Sequence, residues 1–133
     1  MKLLTSFVFI VAGLKPAMAE FINPEEIQLA LGETHACILM GQEMKCWGNE
    51  ADGRTQVPAL KNPKAISAGK SNTCAVDEDG VKCWGEYRQG QLNVAQWKSV
   101  KAMSAGNRTC VITEAGVECA GFMREKPPKL INP

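Results

Sequence analysis

The stretch CAVDEDGVKCWG, residues 74–85, places two cysteines nine positions apart on either side of an Asp-Glu-Asp-Gly sequence. The flanking residues have the composition of short β-strands, and Asp77–Gly80 has the composition of a turn. If those four residues form the loop of a hairpin, Cys74 lies directly opposite Cys83. Opposed residues on antiparallel strands have Cα atoms about 4.5 to 5.5 Å apart, which suits a disulfide. The stretch therefore predicts a hairpin closed by a cross-strand disulfide.

The same cysteine spacing occurs three times along the chain, at Cys37/Cys46, Cys74/Cys83 and Cys110/Cys119. The sequence NPKAISAGKSNTCAVDEDGVKCWG at 62–85 aligns with SVKAMSAGNRTCVITEAGVECAG at 99–121, and EEIQLALGETHACILMGQEMKCWG at 25–48 is a looser copy. A fixed period of this length is typical of repeat architectures. We predict three repeats, at approximately 23–60, 61–97 and 98–133. Each repeat should contain three to four antiparallel strands, namely the hairpin and the strand or strands beside it.

The N-terminus indicates an exported protein. Lys2 is followed by an apolar run from Leu3 to Leu14 and by Ala17-Met18-Ala19, which matches a signal-peptide cleavage pattern. The alternative is a membrane anchor, but the run is shorter than the roughly 20 residues that a spanning helix needs. We predict that residues 1–19 are a signal peptide and that the protein is secreted or periplasmic.

Charge and cysteine spacing exclude several classes of function. Removal of Lys2 and Lys15 with the signal peptide changes the formal net charge from +1 to −1, which does not indicate binding to nucleic acid or to an anionic membrane. Zinc sites space paired cysteines more closely, and no Cys-x-x-Cys redox motif occurs. We therefore expect three disulfides in an oxidising compartment, no metal and no cofactor.

The second unit carries a family resemblance. SAGKSNTCAVDEDGVKCWGEYRQGQL, residues 67–92, resembles the repeat of the regulator-of-chromosome-condensation family, whose copies read Gly-x-x-His-Ser/Thr-x-Ala-Val, then Gly, then Trp-Gly-x-Asn-x-x-Gly-Gln-Leu. The Cys-Trp-Gly variant is similar to secreted bacterial members, among them the second type of β-lactamase inhibitory proteins. The resemblance implies an all-β fold of the β-propeller type, one blade for each repeat, and function through binding of protein partners.

The sequence also departs from the family pattern. Ala120 stands where Trp47 and Trp84 stand in the other copies, and the Gly-Gln pair occurs only at Gly90-Gln91. Relatives close a ring of about seven blades, whereas this chain has three repeats. We expect either a homodimer that forms a six-bladed ring or an open arc that a partner completes; a truncated product of a longer propeller is a third alternative.

Candidate functional residues lie mostly outside the repeat pattern. Aromatic residues and arginine are enriched at binding hot spots, and Tyr87, Arg88 and Trp97 lie in or beside the segment that joins the second repeat to the third. They are the predicted partner-binding residues, with packing against a blade as the alternative. The acidic turn Asp77–Asp79 is a candidate for contact with a basic partner or for weak calcium binding, although an exposed polar turn is the usual explanation.

Two classes of function remain. The first is an exported protein-binding module that engages or inhibits a partner through propeller loops, with no catalytic residues. The second is an extracytoplasmic hydrolase acting on wall polymers or glycans through carboxylates such as Glu50, Asp52 and Glu86, which would need two carboxylates roughly 5 to 10 Å apart in one cleft. The repeat, the export signal and the lack of catalytic groups favour a binding protein rather than an enzyme.

Overall fold

The structure is a computed structural model that describes residues 27–86, 94 and 97–129. The predicted signal peptide at 1–19 lies outside the described residues. Within them, the chain is all-β and forms three separate three-stranded antiparallel sheets, in each of which consecutive strands pair. The strands are β1 (Ile27–Leu31), β2 (His35–Met40), β3 (Glu43–Gly48), β4 (Ala65–Ala68), β5 (Asn72–Asp77), β6 (Gly80–Gly85), β7 (Ala102–Ala105), β8 (Thr109–Thr113) and β9 (Gly116–Ala120).

The predicted strand register is confirmed in all three sheets. The two cysteines of each pair lie directly opposite each other, and their Cα atoms are 4.1 Å apart. The sulfurs of each pair are bonded, so the structure contains the disulfides Cys37–Cys46, Cys74–Cys83 and Cys110–Cys119. Each disulfide joins the second strand of its sheet to the third.

The predicted four-residue loop of the second hairpin is wrong in one respect. Asp77 and Gly80 themselves pair, which leaves a two-residue turn between them. Gly80 has a φ of 119°, which favours glycine, and the Asp79 amide donates to the Asp77 carboxylate at 2.8 Å. The register is the same for either loop length, so the disulfide pairing is unaffected.

The three sheets lie side by side in an open arc. β4 contacts β1 and β2, and β7 contacts β4 and β5, so the first strands of the sheets follow one another along the inner side of the arc. Within the described part of the chain, no strand of the first sheet contacts a strand of the third. The first and third sheets therefore each have one face with no neighbouring sheet.

The apolar core lies between the second and third sheets. Val76 and Val81 of the second sheet pack with Val111 of the third, and Trp97 from the intervening segment completes the cluster. The indole Nε1 of Trp97 donates to the Glu118 carboxylate at 3.2 Å, so the buried ring is hydrogen-bonded.

The interface between the first and second sheets is more polar. The His35 ring lies 2.8 Å from the Thr73 hydroxyl, measured from Nε2, and the Gln28 side-chain amide donates to the Lys64 carbonyl. Arg54, which follows the first sheet, is almost fully buried, and its carbonyl accepts hydrogen bonds from the Thr73 hydroxyl and the Trp84 indole at 2.9 and 3.1 Å. One linker residue thus connects two blades.

Candidate protein-binding faces

The free face of the first sheet is apolar and exposed. Side chains alternate between the two faces of a strand. On this face, Leu29 lies opposite Ile38, and Leu31, Ala36 and Trp47 form one row across the three strands. Leu31 is 69% exposed, Leu29 60% and Trp47 52%. We call this surface the Leu29 face; its apolar part consists of Ile27, Leu29, Leu31, Ala36, Ile38, Met40 and Trp47, and the exposed ion pair between Lys45 and Glu43 lies beside it on β3. A contiguous exposed apolar patch of this kind marks an interaction surface.

The free face of the third sheet is also apolar, but it is concave. Ala102, Ile112 and Val117 form one cross-strand row, and Ser104 lies beside the Cys110–Cys119 disulfide in the next. A pocket of about 240 Å³ opens between these rows. We call this surface the Ile112 face; it consists of Ala102, Ser104, Cys110, Ile112, Val117 and Cys119.

The six cysteines are structural, and their exposure differs along the arc. Cys37 and Cys74 are fully buried between neighbouring sheets, whereas Cys46, the partner of Cys37 on β3, is only partly buried. Cys83 is partly buried like Cys46, and both cysteines of the third disulfide are also partly exposed, on the Ile112 face. Among the described residues no cysteine is free, so none of them is a reactive thiol or a metal ligand.

The two equivalent tryptophans have different surroundings. Trp84 is partly buried because Arg54, from the preceding linker, lies against it. The Arg54 guanidinium is itself held by Asp52 at 2.8 Å and by the Thr34 hydroxyl at 3.0 Å. Trp47 holds the same place in the first sheet, yet it is half exposed. Trp84 therefore has a structural role between blades, whereas the exposed Trp47 is available for binding.

The predicted partner-binding residues have separate outcomes. Tyr87 and Arg88 lie outside the described residues. Trp97 is only 2% exposed and belongs to the core between the second and third sheets. Its assignment to a partner surface is therefore corrected in favour of the packing role that was its alternative, because a buried ring offers no surface to another protein.

Sequence reasoning missed the Leu29 face, although a signal for it exists in the aligned repeats. Leu31 occupies the position of Ala68 and Ala105, and those two alanines lie where neighbouring sheets approach closely. A large exposed apolar side chain at a position that is small in the other copies distinguishes the first sheet from the two sheets that pack on a preceding blade. The alignment shows this difference without a structure.

The predicted exposed acidic turn is only partly exposed. Asp77 is buried and accepts hydrogen bonds from the Lys61 amide at 3.0 Å, the Asp79 amide at 2.8 Å and the Lys82 ammonium at 2.7 Å. Burial alone would raise the pKa of Asp77, but these three donors hold it below its ordinary value. Asp77 is therefore a structural carboxylate, and only Glu78 and Asp79 are exposed at the turn.

His35 is buried in the interface between the first two sheets. Its Nδ1 atom has no hydrogen-bond partner among the described residues. Burial, and then the nearby positive charge of Arg54, lower the pKa of His35, while the Asn72 backbone partly offsets them. The ring therefore stays neutral at pH 7 and acts as a packed, hydrogen-bonded group.

The candidate hydrolase carboxylates lie in the linker after the first sheet and at the end of the second. Asp52 is ion-paired with Arg54, and Glu50 precedes the 3₁₀ turn Ala51–Gly53, which contacts β6. Glu86 follows β6, and its amide donates to the Ser71 carbonyl. Among the described residues, no three His, Cys, Asp or Glu side chains are grouped to bind a metal, and no helix in that part of the chain is long and apolar enough to cross a membrane.

Comparison with known proteins identifies the repeat. Residues 64–91 match the sequence profile of the regulator of chromosome condensation (RCC1) repeat. This match confirms the resemblance that the second unit carries. No curated protein is significantly similar in sequence to the chain.

Solved structures show where the fold occurs elsewhere. The ectodomain of the Physcomitrella patens receptor kinase CR4 is similar at 24% identity and a TM-score of 0.62, over 74% of this chain and 30% of that one. The CRINKLY WD40 ectodomain of the Arabidopsis thaliana receptor kinase ACR4 is similar at 23% identity and a TM-score of 0.60, over 79% of this chain and 40% of that one. Prp20p from Saccharomyces cerevisiae is similar at 20% identity and a TM-score of 0.60, over 71% of this chain and 30% of that one. The chain thus has a β-propeller-type fold and spans less than half the length of these proteins.

Proposed function

We propose that this RCC1-like repeat chain is an exported protein-binding module with no catalytic activity, which engages its partner through the exposed faces of its blade arc. The single observation that carries the proposal is the Leu29 face, where Leu29, Leu31 and Trp47 are all at least half exposed. Protein interfaces are enriched in aromatic and large apolar side chains at their centre. A homodimer is one form that this binding would take.

Similar structures support a role in protein binding. Prp20p was described together with its binding to Gsp1p and histones, and yeast RCC1 was solved with Kap60 bound. Three disulfides indicate an oxidising environment, which supports export. The proposal assigns the partner to the same extracytoplasmic compartment.

Export is tested by expressing the full chain and fractionating the cells. We expect the protein outside the cytoplasm, with an N-terminus at Glu20 and an intact mass six hydrogens below that of the reduced form. A cytoplasmic protein that keeps residues 1–19 and free thiols would contradict the export part of the proposal.

Partner binding is tested with charge substitutions on the Leu29 face. The oxidised chain is immobilised and exposed to the extracytoplasmic fraction of its own source cells, and the retained proteins are quantified. We expect the double variant Leu29→Lys/Leu31→Glu to lose the retained protein, because charge on an apolar interface is costly. The matched control is Glu114→Lys, at an exposed turn of the third sheet. Equal retention by both variants would contradict binding through this face.

The non-catalytic part of the proposal is tested by incubating the protein with wall polymers and glycans. We expect no turnover. Turnover that disappears on alanine substitution of Glu50, Asp52 or Glu86 would establish the hydrolase instead.

A further inference from the structure

The two internal blade interfaces use the same contacts in the same direction. A Cβ atom at Gly32 would lie 2.6 Å from the Gly69 carbonyl oxygen, and one at Gly69 would lie 2.3 Å from the Gly106 carbonyl oxygen. Both positions are therefore closed by the backbone of the following blade. Gly106 holds the same place in the third sheet, and the nearest atom to its Cβ position is 3.7 Å away, within its own loop.

A second set of contacts repeats in the same way. The Cys37 sulfur lies 4.0 Å from the Thr73 hydroxyl of the following sheet, and the Cys74 sulfur lies 3.6 Å from the Thr109 hydroxyl. In each case the disulfide-bearing face of one sheet meets the opposite face of the next. Cys110 is the corresponding cysteine of the third sheet, and within the described residues no further sheet lies in front of it.

The two free faces are therefore the two halves of this repeated interface. The Ile112 face is disulfide-bearing, like the faces of the first and second sheets that pack on a following blade. The Leu29 face corresponds to the faces that the second and third sheets present to a preceding blade, with Ala36 in the place of Thr73 and Thr109. Each free face is therefore missing a neighbouring sheet, and the other free face has the form of the surface that this neighbour presents at the internal interfaces.

We propose that a second copy of this chain covers both faces, with the Ile112 face of each copy packed on the Leu29 face of the other. The inference rests on the proposed function as a protein-binding module and names the partner. Such a contact is heterologous, and two of them related by a two-fold axis close a ring of six blades. In it, Gly106 approaches the Gly32 backbone of the second copy as Gly69 approaches Gly106 within one chain.

Further details of the two ends support this arrangement. The Ala105 amide donates to the Ser67 hydroxyl at 2.8 Å across the second interface. Ser104 occupies the position of Ser67, and Leu31 occupies that of Ala105, so the same hydrogen bond is available between copies. Phe122, 68% exposed just after the third sheet, would lie in the proposed dimer on the chain segment that reaches Trp47 of the second copy, as the segment with Arg54 reaches Trp84 within one chain.

The first test is the mass of the oxidised protein in solution, measured by sedimentation over a wide concentration range. We expect wild type to form a dimer and Gly106→Ala to weaken it by at least about tenfold. This methyl group meets only its own loop in the free chain, so the monomer should fold normally, which circular dichroism checks. A wild type that stays monomeric at all concentrations, or an unchanged dimer in folded Gly106→Ala, would overturn the inference.

The second test mixes two blocked variants. Leu29→Lys/Leu31→Glu blocks one face, and Ala102→Glu/Gly106→Ala blocks the other; three of these four positions are exposed, and the fourth, Gly106, is the open glycine. Each variant alone should be monomeric, whereas an equimolar mixture should form a one-to-one pair through the remaining intact faces. A variant carrying all four substitutions should pair with neither.

The outcomes separate the possible contacts. If the Ile112-blocked variant dimerises alone, the contact joins two Leu29 faces and the inference is wrong. If the mixture stays monomeric while wild type dimerises, the contact uses other surfaces and the inference is also wrong. A monomeric wild type that still retains a foreign protein through its Leu29 face would overturn the inference and leave the proposed function standing.

Discussion

Replacing one disulfide at a time by two alanines should separate the effect of chain entropy from the effect of packing. The three disulfides close rings of identical length, with a sequence separation of 9 in each. In the loop-entropy relation, a ring of about ten residues contributes about 2.7 kcal/mol to the free energy of unfolding. On entropy alone, the three double variants would therefore lose the same stability.

Burial makes the three disulfides unequal. Cys37 and Cys74 are fully buried between neighbouring sheets, whereas Cys110 is partly exposed on the Ile112 face. Removing a fully buried sulfur should cost about a further 1 kcal/mol, the scale of one buried methylene group. We expect Cys74→Ala/Cys83→Ala to lose about 3.7 kcal/mol and Cys110→Ala/Cys119→Ala about 2.7 kcal/mol. Cys37→Ala/Cys46→Ala should resemble the central variant, because it also removes one fully buried sulfur and one partly buried sulfur.

The assay is urea unfolding followed by tryptophan fluorescence, at a concentration low enough for the chain to be monomeric. Free energies of unfolding are compared at a common slope with urea, because a changed slope would signal a change in the unfolded state. Equal losses in all three variants would refute the packing contribution. A larger loss at Cys110/Cys119 than at Cys74/Cys83 would refute the placement of the third sheet at an open end.

Three further predictions use single substitutions. His35 is the only histidine, and its pKa is lower in the folded state than the unfolded value of 6.5. The free energy of unfolding should therefore fall as the pH drops below 6.5. Urea midpoints measured at several pH values should show this loss in wild type and not in His35→Asn. Asp77→Asn should cost about 2 to 3 kcal/mol at neutral pH, because it removes the charged partner of Lys82 and a carboxylate that accepts two amides. Since the folded pKa of Asp77 is lowered, its contribution is present above 3.8 and is lost as the pH falls further, and the variant should lack this acid-sensitive part in the same titration. Gly69→Ala should cost about 3 kcal/mol by overlap with the Gly106 carbonyl, whereas Gly106→Ala should change monomer stability by less than about 0.5 kcal/mol; equal thermal shifts would contradict the direction of blade stacking.

Register and disulfide pairing were predictable from sequence because they depend on local spacing that three copies repeat. The length of the second hairpin loop was not predictable from sequence. Asp77 and Gly80 can either end the strands or begin the turn, and the choice depends on the hydrogen bonds that Lys61 and Lys82 donate to Asp77, which the cysteine spacing does not reveal. Both loop lengths give the same register and therefore the same disulfide.

The candidate binding surface was harder to predict than the fold. Trp97 and Trp47 are both large aromatic residues in the sequence, yet one is buried and the other exposed. The difference arises from which sheets have neighbours, a long-range property that composition and period do not contain. The comparison of Leu31 with Ala68 and Ala105 is the exception, since at that position the first sheet differs in side-chain size from the two sheets that pack on a preceding blade.

The disulfides and the open ends of the arc have a common physical basis. A sheet at the end of an arc buries only one of its faces, so it receives less stabilisation from packing than the central sheet does. A cross-strand disulfide stabilises its hairpin without contact to a neighbouring sheet, so the same disulfide serves equally at the ends and at the centre of the arc. If a second copy covers the ends, burial of the Ile112 face adds stability that rises with protein concentration. The Cys74→Ala/Cys83→Ala variant, whose disulfide lies at the interface between the second and third sheets and on neither free face, should then regain stability at high concentration, and the same variant with Gly106→Ala should regain less of it, because the added methyl group weakens the contact that supplies the rescue.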